Sequence, residues 1–228
     1  GLSRSEEMLE KTTVFKTNPQ VLMNKKTLVI SSGLVHPNLI CRQSLKHLLR
    51  EKKETLFTFS SSLDSLLRIS TEETSTVILY FQKKQISDPL LQALEHFVFN
   101  GGGLLALHAA SASFKRNNRY FKLIGGRFLR HGAISEFKID AATNRSEIYK
   151  NIPGFTITDE LYIHDYLRDV TVHFSTTVAE KTKPVVWTRE LGKGRIAYCS
   201  LGHRSAVWKH PQVKAIVHQS LDWLKNAG

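Results

Sequence analysis

Apolar and polar positions along this chain follow two rhythms. The stretches Thr27–Ser31, Thr76–Phe81 and Leu104–Leu107 are short and apolar almost without a polar break. Runs of this kind predict strands covered on both faces, as in a parallel sheet. Leu56–Phe59 adds a further short strand. Elsewhere the period lengthens. After the loop Ser32–Pro37, Cys41, Leu45, Leu48 and Leu49 recur at helical spacing. A second helix is expected from Asp88, as its cap, with Pro89 at the first helical position. Leu90, Leu94, Phe97 and Val98 form its apolar stripe, and Asn100-Gly101 ends it. The first half therefore reads β-α-β-x-β-α-β, the order of a parallel sheet with helices on both faces.

The second half is richer in strands. Ala133–Ile139, Val172–Ala179, Pro184–Glu190 and Arg195–Leu201 all fit, and Leu191-Gly192-Lys193-Gly194 reads as a hairpin turn. Pro211 opens a closing helix whose buried face is Val213, Ile216, Val217, Ser220, Leu221 and Leu224. Residues 1–25 are polar and weakly patterned, and are expected to form an N-terminal arm or short helix. Residues 26–228 contain no repeat or linker and read as one α/β domain. Its central sheet is expected to be mainly parallel, with added β-rich elements in the C-terminal half.

Composition narrows the class. A chain of 228 residues that is 41% hydrophobic can bury a full core and is not disordered. No apolar run is long enough to cross a bilayer, so no membrane partner is expected. Charges interrupt Leu2 to Phe15, which lacks the apolar core of a secretory leader. Cys41 and Cys199 sit among apolar residues and read as reduced thiols of a cytoplasmic protein. The net charge is +12, but the basic residues fall in scattered pairs such as Lys52-Lys53 and Lys115-Arg116. No Arg-rich helix, zinc-finger spacing or aromatic-basic RNA signature accompanies them. A solvated basic surface is the simpler reading, and no specific nucleic-acid partner is expected. A basic polyanion-binding protein stays as an alternative.

Candidate chemistry gathers after strand-like runs. His108 follows Leu104–Leu107, and His203 follows Ile196–Gly202. His131 sits in Gly125–His131, Asp159 and Glu160 lie within Thr156–Tyr162, and His36 lies beyond the first strand. Residues at strand ends can converge on one crevice. His108, His203 and Glu160 are the candidates for acid/base roles. His36, His131, Asp159, Tyr162, Arg204 and Trp208 are candidates for substrate contact. A buried histidine that merely bonds a carbonyl is the plain alternative for His108. There is no G-x-S-x-G elbow, no phosphate-cradling loop, no dinucleotide fingerprint and no local metal motif. A divalent metal such as zinc held by His108, His131, His203 and Glu160 is chemically possible, though no spacing demands it. Trp208 and Tyr162 stand between a sugar-stacking wall and core packing. Trp187, inside a strand, is expected in the core.

Several stretches together resemble the ThuA-like (trehalose utilisation) family. They are Gly101–Ala110, Gly125-Gly126-Arg127-Phe128 with His131, Asp159-Glu160-Leu161-Tyr162, Pro184–Arg189, Gly192–Arg195 and Leu201-Gly202-His203. The resemblance runs from about Thr27 to the C-terminus. It implies a variant of the class I glutamine amidotransferase-like fold, a three-layer flavodoxin-like sandwich. It also implies a role in carbohydrate utilisation, with a small-molecule sugar or sugar derivative as partner. Acid/base isomerisation or hydrolysis of an oxidised (keto) sugar is the expected chemistry. A non-catalytic sugar-binding or regulatory module is the alternative, and a homo-oligomer is compatible with either. Two positions depart from the family pattern. Ser146-Glu147 stand where members often carry His-Pro, and Gly132 follows His131 where Pro is common. In the amidotransferases the elbow after the corresponding strand holds a cysteine nucleophile. Here His108 takes that place, and imidazole cannot form the glutamyl thioester, so no glutaminase activity is expected.

Overall fold

In the computed structural model, which describes residues 25–33, 37–143 and 147–227, the unbroken apolar runs form the interior of a large sheet. The elements in chain order are β1 (Lys26–Ser31), α1 (Leu39–Arg50), β2 (Phe57–Ser60), β3 (Thr74–Tyr80), α2 (Asp88–Phe99) and β4 (Gly103–Leu107). Then come α3 (Asn118–Ile124), β5 (Gly126–His131), β6 (Ser135–Ala141), β7 (Phe155–Asp159) and β8 (Tyr162–Tyr166). The chain closes with β9 (Thr171–Val178), β10 (Lys181–Leu191), β11 (Gly194–Cys199) and α4 (Pro211–Lys225). Short 3₁₀ turns at Leu63–Arg68, His108–Ala112 and Ser205–Lys209 fill the gaps. The expected N-terminal arm lies outside the described residues.

Nine strands share one sheet in the order β2-β1-β3-β4-β11-β10-β9-β6-β7. The pairs β2/β1, β1/β3, β3/β4 and β4/β11 are parallel. From β11 onward every pair is antiparallel. The architecture is therefore mixed α/β, with β1, β3 and β4 adjacent and parallel as the sequence predicts. β5 and β8 form a separate antiparallel pair.

The two faces of the parallel half are covered differently. Leu45 and Leu48 of α1 and Val213, Ile216 and Leu221 of α4 pack with Val29, Ile78, Leu105 and Ala197. Leu91 and Leu94 of α2 and Leu123 and Ile124 of α3 pack with Ile30, Leu79, Leu104 and Ile196. Alternate residues of β4 thus feed opposite cores, and all five of its residues are buried. Truncating one of them, such as Leu105→Ala, should cost about 2–5 kcal/mol.

Local signals explain the joints and the small departures. Asn38 caps α1, its Oδ1 accepting from the Cys41 amide at 2.9 Å. The cap of α2 is Ser87 rather than Asp88. Asp88 instead occupies the first turn, where its charge favours the helix N-terminus. The β10–β11 hairpin closes with Leu191 paired to Gly194, and Gly192 takes φ +60°, which glycine adopts without steric cost. Observed strands shift by one to three residues from the expected bounds; the strand expected at Ala133–Ile139, for example, runs Ser135–Ala141.

Candidate functional site

Two parallel neighbours, β4 and β11, end side by side, with Leu107 paired to Cys199. The residues after them, His108 and Ser200–His203, therefore emerge at the same sheet edge. His108 takes φ +44°, unusual for a residue with a Cβ, and is only 1% exposed. A left-handed backbone there costs about 1–2 kcal/mol, so neighbours must hold it. Its carbonyl accepts from the Tyr198 hydroxyl at 2.9 Å and the Ser111 hydroxyl at 3.2 Å. Its Nδ1 lies 2.7 Å from the Ser200 carbonyl oxygen. A carbonyl can only accept, so Nδ1 carries a proton, and Nε2 is the nitrogen turned toward the cluster. The ring stacks on Tyr162 at 4.2 Å between centroids.

Nε2 faces a carboxylate. Glu160 follows β7 and places Oε2 3.9 Å from His108 Nε2 and 3.1 Å from His203 Nδ1. Its Oε1 is 3.5 Å from His131 Nδ1, which also lies 2.7 Å from the Gly132 carbonyl oxygen. One carboxylate thus stands among three imidazoles. Burial pushes the Glu160 carboxyl above the usual range, and the His131 charge pulls it back. One side of the cluster is open: the side chain of His131 is 42% exposed and that of His203 21%. The ligand atoms of His108, Glu160 and His203 all lie within 4.8 Å of one another. Two imidazole nitrogens and a carboxylate oxygen suit a first-row divalent cation.

The neighbouring carboxylate does something else. Asp159 is fully buried and accepts the Gly202 amide at 2.8 Å and the His203 amide at 3.1 Å. Burial raises it to about 7, and these amides, with that of Glu160, oppose the rise. The other side of the same loop is also tied down. The Tyr80 hydroxyl donates to the Gly202 carbonyl at 2.6 Å, and the Cys41 thiol to the His203 carbonyl at 3.3 Å. Gly202 has φ +137°, and a Cβ there would meet the Trp208 ring at 2.4 Å. The imidazole of His203 is therefore carried on a clamped backbone.

Of the residues singled out in the sequence, His108, His131, Glu160, His203 and Tyr162 come together. Asp159 serves the loop backbone rather than the open side. Trp208, a candidate for substrate contact weighed between a sugar-stacking wall and core packing, falls on the core side. It is 1% exposed, packs edge-on against Tyr80, and donates Nε1–H to the Tyr80 hydroxyl at 3.3 Å. Its ring fills the space that the missing Cβ of Gly202 leaves. Tyr162, 2% exposed, lies between His108 and His131 and orients imidazoles. Arg204 is exposed and caps the 3₁₀ turn Ser205–Lys209. His36 lies outside the described residues. Trp187 is buried, as expected, with Nε1–H donating to the Ile124 carbonyl at 2.9 Å.

Three supporting residues escaped sequence reasoning. Beneath His108, the Ser111 hydroxyl lies 2.7 Å from the Tyr198 hydroxyl and 3.1 Å from His164 Nε2. His164 and Tyr198 are themselves 3.1 Å apart. Burial lowers His164 to about 3, so it stays neutral at physiological pH. The period-two alternation of Tyr162 with His164 is the signal that would have put those two on a common side.

The family model for ThuA, described as trehalose utilisation, matches residues 26–224. The fold is similar to that of a ThuA-like protein of Parabacteroides merdae, with 16% identity, a TM-score of 0.78 and coverage of 89% of this chain and 90% of that one. A ThuA-like protein of Bacteroides uniformis aligns with 16% identity and a TM-score of 0.75, covering 88% of this chain and 91% of the other. A glutamine amidotransferase of Thermotoga maritima aligns at 14% identity and a TM-score of 0.58, over 90% and 99% of the two chains. No curated protein matches the sequence.

Proposed function

We propose, since the chain belongs to the ThuA family, that it acts on an oxidised sugar by proton transfer at the Glu160 cluster. The observation that carries this reading is a single carboxylate, raised by burial, within 3.1–3.9 Å of three imidazoles at the carboxyl edge of a parallel sheet. Glu160 removes the proton on the carbon beside the sugar ketone. The His203 imidazolium gives a proton to the ketone oxygen, which leaves a neutral enediol. Returning a proton to the former carbonyl carbon, while the other enediol hydroxyl gives its proton back to His203, completes an isomerisation. Expelling the substituent on the carbon beyond the deprotonated one, followed by addition of water, is the hydrolytic route. A carboxyl raised by burial is a stronger base than a solvated one, and a positioned acid or base contributes roughly 10²–10⁴-fold in rate. The hydrogen bond to Ser200 keeps Nε2 of His108 on the reacting side.

The finer fold description, a flavodoxin-like three-layer sandwich, agrees with helices on both faces of the parallel half. The thiols support an absence of glutaminase chemistry. Cys199 is buried and pushed up to about 12, and Cys41 is spent as a donor to His203. Neither thiol can supply an accessible thiolate. Two buried free cysteines also support a reducing, cytoplasmic setting. The test is to incubate the protein with 3-keto-glucosides, 3-keto-trehalose first, and follow products by NMR. Conversion that Glu160→Gln removes supports the proposal. Saturable binding without conversion favours a sugar-binding module instead.

A further inference from the structure

We propose that His108 Nε2, His203 Nδ1 and Glu160 Oε2 form a site for a divalent cation of the zinc type. The inference rests on the reading of the Glu160 cluster as the working site and changes one role in it: with the ion bound, His203 is a neutral ligand, and the ion rather than an imidazolium would face the ketone oxygen. Zinc bonds of about 2.0–2.2 Å place tetrahedral donors roughly 3.3–3.5 Å apart. The observed separations from Glu160 Oε2, 3.1 Å to His203 and 3.9 Å to His108, straddle that value. The full set fits within 4.8 Å, so small ring rotations close it on one ion.

Three further features point the same way. The Ser200 carbonyl, 2.7 Å from His108 Nδ1, fixes the tautomer whose Nε2 can donate to a metal. Ligating histidines commonly bond a carbonyl or carboxylate through their other nitrogen. Second, the Glu160 carboxylate, 3.1 Å from His203 and 3.9 Å from His108, supplies negative charge beside both imidazoles. Third, both histidines sit on fixed backbone. Tyr198 and Ser111 hold the carbonyl of His108, while Asp159 and Cys41 hold the amide and carbonyl of His203. Preformed ligand positions favour binding because little ordering remains to be done.

The donor types select the ion. Two imidazoles and one carboxylate suit zinc and its first-row neighbours, whereas magnesium prefers oxygen and water. Three protein ligands leave a fourth position toward the exposed His131 side, where a water or a sugar oxygen fits.

The probe is zinc itself. The full chain is stripped with a chelator, returned to metal-free buffer, and titrated with zinc chloride and, separately, magnesium chloride by calorimetry. One zinc per chain is expected, with magnesium binding at least 100-fold weaker. Glu160→Gln and His203→Ala should each weaken zinc at least 100-fold. His96→Ala, an exposed histidine on α2 outside the cluster, should change nothing. Thermal melts in chelator check that each variant folds. X-ray absorption of the zinc-loaded wild type adds a readout that needs no variant, and should show two imidazoles among nitrogen and oxygen neighbours. No saturable uptake, uptake unchanged in both cluster variants, or sulfur in the zinc shell overturns the site. Keto-sugar conversion by a chain that takes up no zinc would sink the metal site while leaving the proton-transfer reading intact. Zinc uptake without any conversion would do the reverse.

Discussion

His108 stands between two polar clusters made of similar residues. On its open side lie Glu160, His131 and His203; beneath it lie Ser111, His164 and Tyr198. The lower cluster is neutral and closed. Its hydroxyls and imidazole bond one another and the His108 carbonyl, and burial keeps His164 uncharged. The upper cluster contains a carboxylate and opens to solvent through His131. Identical side-chain types thus play opposite parts. Imidazole among hydroxyls, sealed from water, is a structural support. Imidazole facing a carboxylate at a sheet edge has a proton to exchange and room for a ligand. Asp159 and Glu160 repeat the contrast one residue apart. The first accepts backbone amides, and the second faces imidazoles.

The sharpest break between the clusters comes from Glu160→Gln. Keto-sugar conversion should fall about 1000-fold, near 4 kcal/mol of barrier, while the unfolding free energy moves by less than about 1 kcal/mol. Denaturant melts beside NMR rates check both halves. Next in size is Gly202→Ala, which sets a methyl against the Trp208 ring in a backbone conformation that side chains rarely adopt. A loss of about 3 kcal/mol is expected in denaturant unfolding. In the lower cluster, His164→Ala should cost about 2 kcal/mol in the same assay, because it leaves buried hydroxyl partners short of a bond.

The carboxylates differ in pH dependence too. Asp159 sits near 7 in the fold against its ordinary 3.8, so the folded protein holds a proton there that the unfolded chain has lost. Its contribution is therefore complete below about 4 and disappears as pH rises through about 7. His164, lowered from 6.5 to about 3, acts with the opposite sign: its contribution is present above 6.5 and lost on acidification. Asp159→Asn removes one of these opposed slopes. Stability should then rise more steeply between pH 4 and 6.5, by up to about 1.4 kcal/mol per pH unit, as read from unfolding curves across that range. The smallest effect belongs to the thiols. Cys41 and Cys199 are buried and unpaired, so a thiol reagent should titrate neither in the native protein and both after denaturation.

The parallel half was legible because burial on both faces writes an unbroken apolar run. β1, β3 and β4 show it, and the stripes of α1, α2 and α4 show their own period. β5, β7, β8 and α3 were not assigned. β5 and β8 pair only with each other and carry charged residues such as Arg127, Arg130 and Asp165 within the strand. α3 spans seven residues, too few to display a stripe. Of the site, His108, Glu160 and His203 could be named because each follows a strand-like run. Glu160 was grouped with the histidines, but that Asp159 turns inward to the Gly202 and His203 amides could not be read, since only the folded loop brings those amides to it. Trp208 stayed open between a ligand wall and the core for a related reason: an indole near a polar cluster suits either, and only tertiary packing turns it toward Tyr80.

The most direct test of proton transfer at Glu160 is deuterium wash-in. A 3-keto-sugar is incubated in heavy water with the protein, and proton NMR follows the signal of the hydrogen beside the ketone. The wild type should replace that hydrogen far faster than buffer does, and Glu160→Gln should lose about 1000-fold of the excess rate. Exchange no faster than in buffer, or equal exchange by wild type and Glu160→Gln, would contradict the account.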